Sequence, residues 1–306
     1  MGITLDEKII IEHRLKQAED YEAQGKPLHA IQVYTALLEE YPAVMEAAYN
    51  LAELYQRLNN INAASKVIET ILGAESGNIE NRMYAGQFYL KYSMWNEALD
   101  VLEQIMPEEE SYVSYLRGYA HYKLEEYELS KLNLLNYVIR ETDNTLKLEG
   151  YLLLVKDCIG LKDYKSAENF LKKIEAAYSS YWEFHYLSAQ VYKNIGMIEH
   201  AITSAEKTIK LNPKQPDAFA LAGQLQLAFG DYKKAERRFY KCIELKEDLT
   251  SDIYTGLAEA CLKSDKTKDA LAYFNTALKI DPENRAALKG KETAEYQLKN
   301  NIHYDG

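Results

Sequence analysis

Small residues recur inside stretches of helical periodicity at Ala30, Ala64, Ala98, Ser130, Ala167, Ala201, Ala235 and Ala270, with spacings of 34, 34, 32, 37, 34, 34 and 35. A second small series stands twelve residues earlier, at Ala18, Ala52, Gly86, Gly118, Ala189, Gly223 and Ala258, broken only by Val155. Each unit therefore has two sites where a large side chain would not fit, one on each of two closely packed helices. The first helix of a unit also carries an apolar stripe at helical spacing, as in Tyr151, Leu154, Val155 and Cys158. One hairpin cannot cover such a stripe, but stacked neighbours can. The pattern predicts paired antiparallel helices wound into a right-handed superhelix, about seventeen helices in all and no sheet, with stability summed over interfaces.

The stretch SDIYTGLAEACLKSDKTKDALAYFNTALKIDP, ending at Pro282, resembles the tetratricopeptide repeat. Tyr254, Leu257, Ala258, Ala270, Phe274, Ala277 and Pro282 hold the positions that mark this family, with Cys261 where Tyr is usual. The same frame sets repeats at about 11–44, 45–78, 79–110, 111–147, 148–181, 182–215, 216–250 and 251–284, nearly the whole chain, although Pro closes only three of them, at Pro42, Pro213 and Pro282. The resemblance implies one all-α domain over 1–306, an α-solenoid of about eight helical hairpins.

Turn and end signals fit the same frame. Gly25, Asn59 and Gly196 stand in turns between paired helices, where a left-handed residue ends the first helix. Pro27, Ile61 and Ile198 follow two residues on. Thr4 and Glu7 form a capping-box pattern, placing the first helix start near Leu5. After Pro282, Ala287, Leu288, Ala294 and Leu298 form a narrow apolar face backed by charges, which predicts a capping helix over 285–300. The tail NNIHYDG has no periodic pattern and is expected to fray.

Composition narrows the function. With 36 basic against 47 acidic side chains the net charge is −11, which argues against general binding to nucleic-acid phosphates. Cys158, Cys242 and Cys261 lack the spacing of a zinc or redox site and fall at buried-type positions, so a reducing, cytoplasmic setting is expected. The N-terminus carries Asp6 and Glu7 where a signal peptide needs positive charge, and no apolar run approaches the ~18 residues of a spanning helix, so no membrane role is expected. No Walker loop, GxGxxG, GxSxG or HExxH occurs, and the six histidines are scattered, with His121 and His185 at core-type positions. The expectation is no enzyme, no cofactor and no metal.

What remains is surface. Counting from the first residue of each repeat, places 2, 5, 9 and 12 point away from the buried stripe. In this family that face lines the inner groove. The first three repeats put Glu12, Leu15, Glu19 and Glu22, then Glu46, Tyr49, Glu53 and Gln56, then Glu80, Met83, Gln87 and Leu90 there, with Arg57 and Lys91 on the flank. Later repeats mix signs, with Lys156 and Lys193 against Glu149, Glu183, Asp217, Asp252 and Glu259.

The fourth repeat differs in placing Tyr112, Tyr115, Tyr119 and Tyr122 at all four groove places, joined on or beside that face by Tyr49, Tyr84 and Tyr186. Tyr offers rigid apolar area with a polar tip and suits a recognition surface, although the family uses Tyr at places 5 and 12 without a ligand. Arg117 falls where an apolar residue is usual. The sub-class that clamps a chaperone's C-terminal carboxylate is matched only at Asn50, the corresponding places holding Leu15, Glu19, Glu80 and Tyr84. The resemblance implies an interaction scaffold whose groove holds a protein or peptide segment. The Tyr residues would supply contact area, while Glu19, Glu53 and Glu80 would favour positive charge at one end. The alternative is an assembly protein that self-associates through its end or convex faces.

Overall fold

The computed structural model describes residues 4–74 and 78–302. Among them are seventeen α-helices and no strand, so the chain is an all-α solenoid. The helices group into two compact units, Met1–Leu124 and Glu125–Gly306. In the first, α1 (Leu5–Ala23) packs on α2 (Pro27–Glu40), α3 (Met45–Arg57) on α4 (Ile61–Ala74) and α5 (Ile79–Lys91) on α6 (Trp95–Leu102), with α7 (Tyr112–Lys123) against α5 and α6. The second unit opens with α8 (Tyr127–Arg140), which packs on α9 (Asn144–Gly160). The pairs α9 and α10 (Tyr164–Tyr178), α11 (Trp182–Asn194) and α12 (Ile198–Leu211), α13 (Pro216–Phe229) and α14 (Tyr232–Leu245), and α15 (Ser251–Lys263) and α16 (Thr267–Ile280) follow, and α17 (Arg285–Ile302) lies against α15 and α16.

The small residues sit at close helix contacts. Ala30, Ala64, Ala98, Ser130, Ala167, Ala201, Ala235 and Ala270 are all fully buried, as are Ala18, Ala52, Val155, Ala189 and Ala258. A Cβ on Gly86 would run into Leu102 Cδ2, and one on Gly256 would meet Phe239 Cζ at 2.5 Å. Large side chains fill the space those residues leave, among them Tyr34, Leu102, Phe239 and Phe274.

A left-handed residue occurs in eight turns, at Gly25, Asn59, Ser93, Glu125, Lys162, Gly196, Gly230 and Asp265, with φ between 56° and 90°. These positions share the spacing of the Ala30 series, five residues ahead of it. In these turns the N–H after the left-handed residue bonds the carbonyl five residues back, as from Lys26 to Tyr21 (2.8 Å) and Asp163 to Cys158 (2.8 Å), which closes the preceding helix. Only three of the eight are glycine, so the sequence signal at Gly25, Asn59 and Gly196 was a fraction of the whole.

The ends follow local rules. Thr4 and Glu7 cap each other's backbone N–H groups and α1 begins at Leu5. Helix α17 runs to Ile302, past the expected 300, so Asn300 to Ile302 are helical; the expected fraying of 303–306 lies outside the described residues. Helix α9 starts at Asn144, capped by the Asp143 carboxylate, so Asn144 to Lys147, within the longest repeat, lie in its first turn. No helix of the described residues is long and apolar enough to cross a membrane.

Candidate functional site

In the first unit α3, α5 and α7 share one face, which holds two adjoining cavities. One, of about 390 Å³, lies between α3 and α5 and is lined by Glu53, Gln56, Arg57, Tyr84, Gln87 and Lys91, with Phe88 behind. The other, of about 450 Å³, lies between α5 and α7, where Tyr112, Tyr115 and Tyr119 face Leu90, Lys91 and Trp95. Gln87 and Lys91 belong to both.

Of the seven tyrosines that sequence reasoning assigned to the site, Tyr112, Tyr115 and Tyr119 line the second cavity and Tyr84 the first. All are half-buried. The Tyr112 and Tyr115 rings stack with centroids 5.3 Å apart and planes at 13°, while Trp95 meets Tyr119 edge-on at 6.1 Å. Tyr122 stands beside the cavity, 5.8 Å beneath the Lys123 ammonium. Tyr49 packs edge-on against Tyr84 at 4.6 Å and donates to Asn81 Oδ1 at 2.5 Å, so it supports the wall between α3 and α5. Burial, then the nearby Glu53 charge, pushes the Tyr84 hydroxyl up to about 12. Tyr186 belongs to the second unit, half-buried beside Trp182 at 6.4 Å, and burial raises its pKa as well.

The carboxylates divide. Glu53 lines the first cavity. Glu80 is exposed in the first turn of α5, and Glu19 lies exposed on α1 within 3.6 Å of Lys16. Glu22 is taken up by Arg57 and by the Tyr34 hydroxyl at 2.9 Å. Leu15 and Leu90, expected on the groove face, are 7% and 8% exposed. Leu15 turns into the contact with the neighbouring helix, where a large apolar side chain gains more than by facing water, while Leu90 packs against the core and still lines the second cavity.

Trp95 and Lys123 were missed by sequence reasoning. Trp95 opens the second helix of its hairpin and so lies outside the places counted on first helices. Lys123 sits beside the last of the four groove places, at the position that Arg57 and Lys91 hold in their repeats. Arg117 does not reach the cavity: its Nε donates to the Leu102 carbonyl at 3.2 Å and its Nη2 to the carbonyls of Leu102 and Ile105. Helix α6 has 8 residues where its counterparts have about 14, and the guanidinium closes its free end.

In the second unit several inner-face charged groups have partners. Lys156 meets Glu183 at 2.8 Å, Lys246 meets Asp217 at 2.9 Å, and Lys193 donates to Gln224 Oε1 at 2.6 Å. Another cavity, of about 440 Å³ between α10, α11 and α12, includes His185 and His200. His185 is bonded to the Ser179 carbonyl at 2.8 Å and burial lowers its pKa, a structural role. The three cysteines are buried, and burial pushes the thiols of Cys158 and Cys261 up to about 11 and about 12, far from a nucleophile's range. Among the described residues no group of three or more His, Cys, Asp or Glu could hold a metal ion.

Two family models, both described as tetratricopeptide repeat, match residues 21–80 and 226–292 and residues 183–215, together more than half of the chain. The chain is 28% identical over 130 residues to the Schizosaccharomyces pombe DnaJ homolog subfamily C member 7 homolog, covering 38% of this chain and 27% of that protein. It is 29% identical over 121 residues to anaphase-promoting complex subunit 7 of Arabidopsis thaliana, covering 37% and 21%. The chain thus spans about a quarter of the length of the curated relatives it matches. Among solved structures, the anaphase-promoting complex hetero-tetramer Cut9–Hcn1 superposes with a TM-score of 0.60 at 14% identity, over 92% of this chain and 55% of that one. MamA from Desulfovibrio magneticus RS-1 gives 0.50 at 21% identity, over 54% and 93%. With these matches resting on hairpins that recur at a period near 34 residues, the chain belongs to the tetratricopeptide-repeat family of protein-interaction scaffolds.

Proposed function

We propose that the chain is a non-enzymatic scaffold and that the α3–α5–α7 face holds a segment of another protein. The observation that carries this reading is the pair of adjoining cavities walled by half-buried tyrosines, with the stacked Tyr112 and Tyr115 at one end. Rigid aromatic surface with hydroxyl tips binds a peptide at low entropic cost, and its partial burial keeps the rings in place before binding. Glu46, Glu53 and Glu80 have no ion-pair partner among the described residues and favour positive charge at the α3 end of the segment.

The test is affinity capture from the native host with mass spectrometry, run in parallel on the wild type and on Tyr115→Ala with Tyr119→Ala. A partner lost from the double variant while helicity is kept supports the reading. A partner held at full strength by the variant places binding elsewhere.

A second reading, self-association, is favoured by the α1 surface, where Leu5, Ile9 and Ile10 are 74%, 58% and 42% exposed. Concentration-dependent size in sedimentation, abolished by Ile9→Glu, would support it.

A further inference from the structure

We propose that the cavity between α5 and α7 takes an acidic stretch of the bound segment, in which an apolar side chain rests on the Tyr112–Tyr115 stack and neighbouring carboxylates meet Lys91 and Lys123. This rests on the reading of the α3–α5–α7 face as the binding surface and names the chemistry of its occupant.

The first argument is charge. Acidic side chains outnumber basic ones 47 to 36 in the chain, yet the lining of this cavity contains Lys91 and Lys123 and no carboxylate. Neither lysine has an ion-pair partner among the described residues. Lys91 Nζ donates to Gln56 Oε1 at 2.9 Å and stands 5.5 Å from the Tyr92 ring. Lys123 Nζ stands 5.3 Å from the Tyr119 ring and 5.8 Å from that of Tyr122. An amide oxygen and aromatic faces orient an ammonium group without cancelling its charge. Both lysines are thus held in position with their charge available, and a carboxylate is the group that completes them.

The second argument is the wall between them. Two rings stacked within 13° of parallel make a flat plate, and Trp95 set edge-on to Tyr119 closes one side. A plate of that kind suits a proline, an aromatic ring or a branched aliphatic chain.

Lysines beside a stacking platform also suit single-stranded nucleic acid. The adjoining cavity decides against it. Glu53 lines that cavity, and Glu46 and Glu80 stand exposed in the first turns of α3 and α5. A phosphodiester chain carries a negative charge at every nucleotide and would meet repulsion along this face, whereas a polypeptide can change sign from one residue to the next. Arg57, the other cation of the first cavity, has its charge taken up by Glu22. The occupant is therefore asymmetric, basic or neutral toward α3 and acidic toward α7.

The experiment selects random dodecapeptides displayed on phage against the full chain and remeasures the recovered peptides by fluorescence anisotropy. The expected peptides combine an apolar residue with Asp or Glu and lose about tenfold in affinity or more with Lys91→Gln plus Lys123→Gln. Charge reversal, Lys91→Glu plus Lys123→Glu, should turn the selection toward Lys and Arg. Peptides that depend on Tyr115 but lack acidic residues, or ignore both lysine variants, overturn the acidic preference and leave the binding face standing. Peptides indifferent to Tyr115→Ala as well, or a selection that recovers none, overturn both. A fluorescein-labelled oligothymidylate that binds, and is lost with Lys123→Gln, would make this a nucleic-acid platform and overturn the proposal.

Discussion

The Ser130 hydroxyl donates a 2.7 Å hydrogen bond to the carboxylate of Asp157, and both residues are fully buried between α8 and α9. Asp157 Oδ1 has no hydrogen-bond partner among the described residues. Burial raises this carboxyl to about 7, against smaller opposing effects from Ser130 and the Lys131 charge. In the unfolded chain it returns to an ordinary value near 4, so the folded protein binds the extra proton between the two values. Stability from this site is therefore full below about pH 4 and is lost as pH rises toward 7. Asp157→Asn keeps the contact with Ser130 and removes the ionisation. It should raise stability by about 1 to 3 kcal/mol at pH 8, with little effect at pH 4. Urea melts across pH 4 to 8 check this, and a variant that parallels the wild type at every pH would refute it.

The left-handed turns separate two effects of glycine. At Gly196, with φ of 82°, nothing lies within 4 Å of an added Cβ, so Gly196→Ala should cost about 1 kcal/mol from backbone conformation alone. Lys162, with φ of 59°, is the reverse case, and Lys162→Gly should gain up to about 1 kcal/mol. At Gly256 the obstacle is the Phe239 ring, and Gly256→Ala should cost about 1 to 3 kcal/mol despite the better helix former. The three midpoints in urea give the order.

Arg117 trades a core position for a helix end. Burial pulls its guanidinium down from the ordinary value, with Glu103 opposing, and it stays in place because it satisfies two carbonyls at the end of α6. Arg117→Leu restores the residue type usual at this place, strips the Ile105 carbonyl of its guanidinium partner and leaves the Leu102 carbonyl with only the Ile105 N–H. It should cost about 1 to 3 kcal/mol and speed amide exchange in α6 first. Unchanged exchange there would show that the cap is dispensable.

The repeat was legible because two series of small residues report packing, which depends on side-chain volume and survives changes of chemistry. The turns were half legible, since Ser93, Glu125, Lys162 and Asp265 adopt the left-handed conformation without the residue type that announces it. The candidate site was legible where a single helix carries it, as for Tyr112, Tyr115 and Tyr119. It was not legible where residues meet across helices: Trp95 comes from a second helix, and the pairing of Glu22 with Arg57 joins α1 to α3. Arg117 looked anomalous because its cause, the early end of α6, is a neighbour's property.

The carboxylates give the sharpest functional test, because the structure separates residues that the sequence grouped together. Glu53 lines the cavity between α3 and α5, while Glu19 lies on α1 beside Lys16 and lines neither cavity. Glu53→Lys places a cation among Arg57 and Lys91 and should weaken a bound segment about tenfold at low salt, the loss shrinking as salt screens it. Glu19→Lys should change affinity by less than about twofold. Tyr115→Ala with Tyr119→Ala removes contact area instead of charge, so its loss, at least about 2 kcal/mol, should persist at high salt. Titrations of a captured partner at two ionic strengths distinguish these outcomes. Equal effects of Glu19→Lys and Glu53→Lys would mean that a diffuse acidic field acts on the partner, and that the cavity does not.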